Sequence, residues 1–137
     1  MSLCSMLRNM KDLVFYLGFG TLFAHELDSI LNHEWRVIPI IRTLPDETGL
    51  IVFIAAHIPI MAALVALVSS KNTRTRRMTR TGIAAFLVLH GLLHIFFNSH
   101  PAYEFTGMLS NALIFGGSVS GIIYLVIEWN IKQSYDT

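Results

Sequence analysis

The sequence predicts an all-α integral membrane protein: a four-transmembrane-helix bundle with its N-terminus and C-terminus both cytoplasmic. Three observations predict it. The 137 residues are 53% hydrophobic and only 14% charged, against roughly 25% charged in soluble domains, and the mean hydropathy is +0.56. Several apolar runs approach the ~20 residues that carry a helix across a bilayer. Eight of the ten basic residues, all but Arg36 and Arg42, fall in three stretches that one orientation explains. Length favours one domain, so residues 1–137 read as a single membrane domain.

The first span is expected over about residues 12–31. Its apolar body runs from Leu13 to Gly20, and its last third carries His25, Glu26 and Asp28. Ionisable side chains inside a span are costly and face the bundle interior, a partner or water. Residues 32–47 follow as an exoplasmic loop. There Trp35 suits the headgroup layer, and Val37–Ile41 is too short to cross. Pro45, Asp46 and Glu47 signal a helix start, because proline and acidic side chains suit the first turn.

The second span, about residues 48–69, is continuous apart from His57 and Pro59. Proline removes a backbone donor and frees the carbonyl of Ala55, which in lipid needs a protein partner or water. His57 is a candidate donor to that carbonyl. Residues 70–80 carry Lys71, Arg74, Arg76, Arg77 and Arg80. By the positive-inside rule this loop is cytoplasmic, and Arg8, Lys11 and Lys132 fall on the same side. The third span is expected over about residues 81–98, an exoplasmic loop over 99–104, and the fourth span over about 105–129. The fourth holds Asn111, the small-residue pair Gly117 and Gly121, and the terminal Glu128–Trp129. Gly117 and Gly121 lie four apart, a spacing that lets helices approach closely and marks a candidate contact between two copies of the chain.

The net charge of +1 gives no reason to expect nucleic acid, and topology accounts for the basic loop. The single cysteine, Cys4, excludes an internal disulfide framework. Residues 1–11 are polar and mixed, with no small-residue cleavage site after the first apolar run, so no cleaved signal peptide is expected. A multi-pass location in the plasma membrane or a bacterial inner membrane follows.

With a rise of about 1.5 Å per helical residue, His57 and His90 lie roughly 12 Å below the exoplasmic surface, His25 and Asn111 roughly 9 Å and His94 roughly 6 Å. None of the six histidines falls in the cytoplasmic half. His90 and His94 are four apart, so both imidazoles project from one helix face, a spacing that lets one helix present two ligands to a metal. His25 and Asp28, three apart, also share a face. Glu26 points about 100° away and lines up with His33 instead. Alone, each feature has a plainer account: the histidine pair as an interhelical hydrogen bond, His33 and His100 as solvated loop residues, Glu34 and Arg36 as interfacial charges, Glu104 as a helix cap. Together they are harder to dismiss, since buried polar groups left unpaired cost several kcal/mol each, of order 2–7.

Metal ligands are therefore expected among His25, Asp28, His57, His90 and His94, with Glu26 and Asp28 as the carboxylates available for proton transfer. Nitrogen and carboxylate donors suit zinc or iron, and the absence of thiolate donors disfavours copper(I) and iron–sulfur clusters. Zinc implies hydrolysis of a lipid-like or amide substrate, iron the oxidation of an apolar chain. The first alternative is a b-type haem held by His57 with His90 or His94. The second is a cofactor-free membrane subunit or transport protein, its His–carboxylate network acting as a proton relay.

Overall fold

The structure, a computed structural model, describes residues 3–136, with side chains from Met6 to Gln133; Cys4 is outside the latter range. Four helices make up the chain: α1 (Leu3–Leu31), α2 (Asp46–Val68), α3 (Thr73–Phe97) and α4 (Met108–Asp136). Two 3-10 turns, Glu34–Arg36 and Ile41–Thr43, lie between α1 and α2. Among the described residues there is no strand. Three helical stretches are long and apolar enough to cross a membrane: Asp46–Val68, Thr73–Phe97 and Met108–Gln133.

The helix termini follow local chemistry. Asp46 and Glu47 occupy the first turn of α2 after Pro45, as the sequence predicts. Helix α3 begins at Thr73, inside the stretch expected to be a loop. The reason is Asn72, whose Oδ1 accepts from the backbone of Arg74 at 2.9 Å and of Thr75 at 3.1 Å, satisfying two donors that a helix start leaves open. The basic residues from Arg74 to Arg80 thus form the first turns of α3. Helix α4 begins at Met108, three residues later than expected, and Phe105 is tucked into the core at 2% exposure. Helix α1 ends at Leu31, and two residues on His33 adopts left-handed backbone at φ 50°, ψ 44°. Side chains other than glycine rarely take that conformation, though histidine is among those that do so more readily. The turn reverses the chain and returns residues 34–36 toward the helix they have just left.

Helix α4 packs between α1 and α3, while α2 lies to one side against α3 and the two 3-10 turns. Phe15, Phe19 and Leu22 of α1 form the main core with Ile83, Ala84 and Leu87 of α3 and Tyr124 of α4; Val68 at the end of α2 joins them. Close approach depends on glycine at several places. A Cβ at Gly18 would lie 2.9 Å from Ser120 Cβ, and one at Gly121 only 2.5 Å from the carbonyl oxygen of Ala84. Gly117 likewise faces Thr21 and Leu87. The Gly117/Gly121 face thus packs on α1 and α3 of the same chain.

Trp35, expected in the headgroup layer, packs against protein. It is 4% exposed, lies against Gly49 and Phe53 of α2 and donates to Asp46 Oδ1 at 2.9 Å. The same carboxylate receives Arg36 at 2.7 Å. These contacts pin the turn that carries Glu34.

Candidate metal centre

His25, Glu34, His90 and His94 each offer one ligand atom, and the four atoms lie within 4.8 Å of one another. Three elements bring them together. His25 lies on α1, six residues before the helix ends at Leu31. His90 and His94 are stacked along α3, their rings 4.6 Å apart and within 8° of parallel. Glu34 arrives on the 3-10 turn that the left-handed His33 directs back over the end of α1.

The distances fit a small cation. His90 Nε2 and His94 Nε2 are 2.7 Å apart. Glu34 Oε2 is 3.7 Å from His25 Nε2, and Oε1 is 3.9 Å from His90 Nε2 and 3.8 Å from His94 Nε2. Donors held at about 2.0–2.1 Å by a tetrahedral ion lie roughly 3.3 Å from one another, so the cluster brackets that spacing. Two imidazole nitrogens in contact at 2.7 Å need a proton or a cation between their lone pairs. The His25 ring stands edge-on to His90 at 4.7 Å and to His94 at 5.0 Å. It is 2% exposed, yet among the described residues neither of its nitrogens has a hydrogen-bond partner. Leaving a buried donor or acceptor unsatisfied costs about 1–3 kcal/mol, and a bound ion would remove that cost.

The surroundings hold the ligands in place. Tyr103 places its hydroxyl 3.1 Å from His94 Nδ1, fixing the ring from its outer side as partners of metal-bound histidines commonly do. Phe105 packs on His25 and His94 with ring separations of 5.3 and 4.7 Å, and Phe86 covers His90. Burial raises the pKa of Glu34 to about 8. The charges of Glu26 and Asp28 add to the rise, while a hydrogen bond from Ser29 works against it. At neutral pH without a cation, Glu34 therefore holds a proton that a bound ion would displace. The Tyr103 hydroxyl is also pushed upward, by burial and then by the charge of Glu34.

The residues expected from the sequence separate into two groups. His25, His90 and His94 converge. His57 stands outside the four-residue cluster: its Nε2 lies 2.7 Å from Glu26 Oε2, and its Nδ1 donates to the carbonyl of Phe53 at 2.6 Å rather than to that of Ala55. The short Glu26–His57 contact joins α1 to α2. Asp28 also lies outside the cluster; it is buried, and its Oδ2 has no hydrogen-bond partner among the described residues.

Glu34 is the residue that sequence reasoning treated as a surface charge. Its one visible signal was the density of polar residues from His25 to Arg36, but no helical spacing connects it to His25. His33 and Glu104, read as solvated residue and cap, are paired at 2.8 Å, and Arg36 approaches the same carboxylate at 3.5 Å. His100 accepts from the Ala102 backbone at 3.2 Å, away from the cluster.

A cavity of about 380 Å³ opens beside the cluster, with Glu34, His90, His94 and Tyr103 in its wall and otherwise apolar side chains around it. With three imidazoles and one carboxylate, a tetrahedral ion is fully coordinated, whereas a five- or six-coordinate ion keeps open positions. The arrangement thus combines a His/Glu group that can hold a metal with an apolar cavity reaching it. No curated protein and no solved structure matches the chain. A family model does match, over residues 11–131, and the chain belongs to that family, DUF6713, a family of unknown function.

Proposed function

We propose that the protein is a four-span membrane metalloprotein whose ion is held by His25, His90, His94 and Glu34 near the exoplasmic face. The observation that carries this reading is the convergence of four ligand atoms within 4.8 Å around a histidine that is buried and otherwise unpartnered. Zinc or iron suits three imidazoles and a carboxylate. An ion that accepts a further ligand beyond these four would supply Lewis acidity to water or to a substrate oxygen. Zinc would lead to hydrolysis and iron to oxidation, and the adjoining cavity suits an enzyme centre better than a purely structural ion.

The chain's own residues divide the remaining work. Tyr103 orients His94. Glu26 and Asp28 contribute negative charge that keeps a proton on Glu34 until an ion replaces it. The alternative, haem held between His57 and His90 or His94, is disfavoured because His57 is engaged by Glu26 and Phe53 while His90 stacks on His94.

Helix α1 is the fourth span in this reading. Its polar residues support that place, because His25, Asp28 and Ser29 are buried against protein, the orientation that intramembrane polar groups adopt. Lys11, Arg76, Arg77 and Arg80 gather at the opposite end from the histidines, and by the positive-inside rule this supports a cytoplasmic side for both termini.

Elemental analysis of protein purified without chelator tests the reading. One zinc or iron per chain is expected, with loss of metal in His94→Ala and retention in His57→Ala and His100→Ala. Metal-free wild type, or equal retention in all three variants, would overturn it.

A further inference from the structure

The cavity beside the histidines has two chemically distinct parts. At one end are Glu34, His90, His94 and the Tyr103 hydroxyl; the remaining wall includes Val37, Phe86, Leu93, Phe97 and Phe105. A ligand complementary to both parts has one polar end and one apolar body. Its volume of about 380 Å³ sits near the lower limit of small-molecule sites, about 300–1,000 Å³, which favours one chain over two.

The way in is also apolar. Phe86 and Leu93 line the cavity and yet remain 45% and 42% exposed, so their outer faces belong to the surface of α3. Leu89 and Phe96, on the same helix, are exposed at 53% and 75%. Exposed aliphatic and aromatic side chains along a span face lipid tails, so the cavity mouth opens to hydrocarbon and its occupant comes from the bilayer.

We infer that the cavity binds a single-chain lipid, with the apolar chain along Phe86, Leu93 and Phe97 and an oxygen-bearing head group directed to the metal beside Glu34. This rests on the metal reading above and adds the class of substrate. Glu34 is suited to receive such a head: it shares the cavity wall with His90 and His94, and the turn that bears it is anchored by Trp35 and Arg36 to Asp46.

Cobalt provides a probe that separates this inference from the metal reading. Full-length protein in detergent is loaded with cobalt, the bound cobalt is counted, and its visible spectrum is followed during titration with dodecanohydroxamic acid and with acetohydroxamic acid. The long-chain compound should bind at least tenfold more tightly to wild type. Leu93→Trp, which fills the cavity from its lipid side without removing a ligand, should erase that preference while keeping the cobalt and the response to acetohydroxamic acid. Ile38→Trp fills the same cavity from the loop that follows Glu34 and should act alike, which guards against a folding failure in either variant. If cobalt binds but chain length makes no difference in wild type, or if the preference survives in both variants, the lipid inference is overturned and the metal centre stands. Failure to bind cobalt at all overturns both.

Discussion

The two ends of the bundle handle buried charge in opposite ways. At the basic end, Glu128 is held by Lys11 at 2.7 Å and by Arg77, and Asp12 receives Arg80 at 2.7 Å. Arg80 also donates to the Tyr16 hydroxyl and lies over the rings of Phe15 and Tyr16. At the histidine end, three imidazoles and the Glu34 carboxyl crowd together, and both nitrogens of His25 lack a hydrogen-bond partner among the described residues. Paired charges need nothing further and serve to join helices. A crowd of lone pairs is costly as it stands and gains from a bound cation. The same inventory of ionisable groups thus produces a structural clasp at one end and a candidate centre at the other.

Exchanging the roles of the two ends is the strongest way to break this contrast. His25→Ala should weaken metal binding by more than about 100-fold, beyond the 10–100-fold typical of residues that only support a ligand, while thermal unfolding of the metal-free protein changes little or rises. Glu128→Gln should do the reverse. Removing one partner of a largely buried charge pair costs of order 3 kcal/mol, read as a lower unfolding midpoint, while metal stoichiometry stays at the wild-type value. If Glu128→Gln loses the metal, the two ends are not independent.

Tyr103→Phe sharpens the comparison at intermediate size. Loss of the hydroxyl beside His94 Nδ1 should lower metal affinity about tenfold without altering the metal content at saturation.

A smaller effect is the pH dependence of the metal-free protein. Glu34 titrates near 8 when folded, against 4.5 as its ordinary value, so the folded state binds the proton more tightly. Its contribution to stability is fully present below pH 4.5, declines as pH rises toward 8 and is gone above it. Thermal midpoints measured between those limits should fall in wild type after chelation and lose that slope in Glu34→Gln. Metal loading should remove the decline, because the ion requires the carboxylate. A slope that survives in Glu34→Gln would assign the proton elsewhere.

The smallest expected effect concerns the turn that delivers Glu34. His33→Gly should leave stability within a few tenths of a kcal/mol, since glycine takes left-handed backbone freely. His33→Val should cost of order 1–2 kcal/mol and weaken metal binding with it, because the reversal that brings Glu34 to His25 would be strained.

Much of the architecture was legible in the residues themselves. Hydrophobic runs of membrane-crossing length identify α2, α3 and α4, because length and apolar content are properties of a segment alone. The start of α2 after Pro45 was legible in the same way. Helical periodicity was enough to bring His90 and His94 to one face, since 3.6 residues per turn stacks positions four apart whatever surrounds them. It could not choose among the partners of that pair. His25 and Glu26 are neighbours in the chain, and their side chains diverge by about 100° around the helix; only the packing of α1 against α4 and α3 turns His25 toward His90 and leaves Glu26 for His57. Glu34 lay beyond any periodic rule. Its position depends on a left-handed residue after the end of α1 and on an anchor formed with Asp46, which is distant in sequence until the chain folds. The residues alone determined a helical, strongly apolar chain with its histidines toward one end. Tertiary structure decided which four groups meet, because the rotation of each helix and the reversal at His33 are set by long-range contacts.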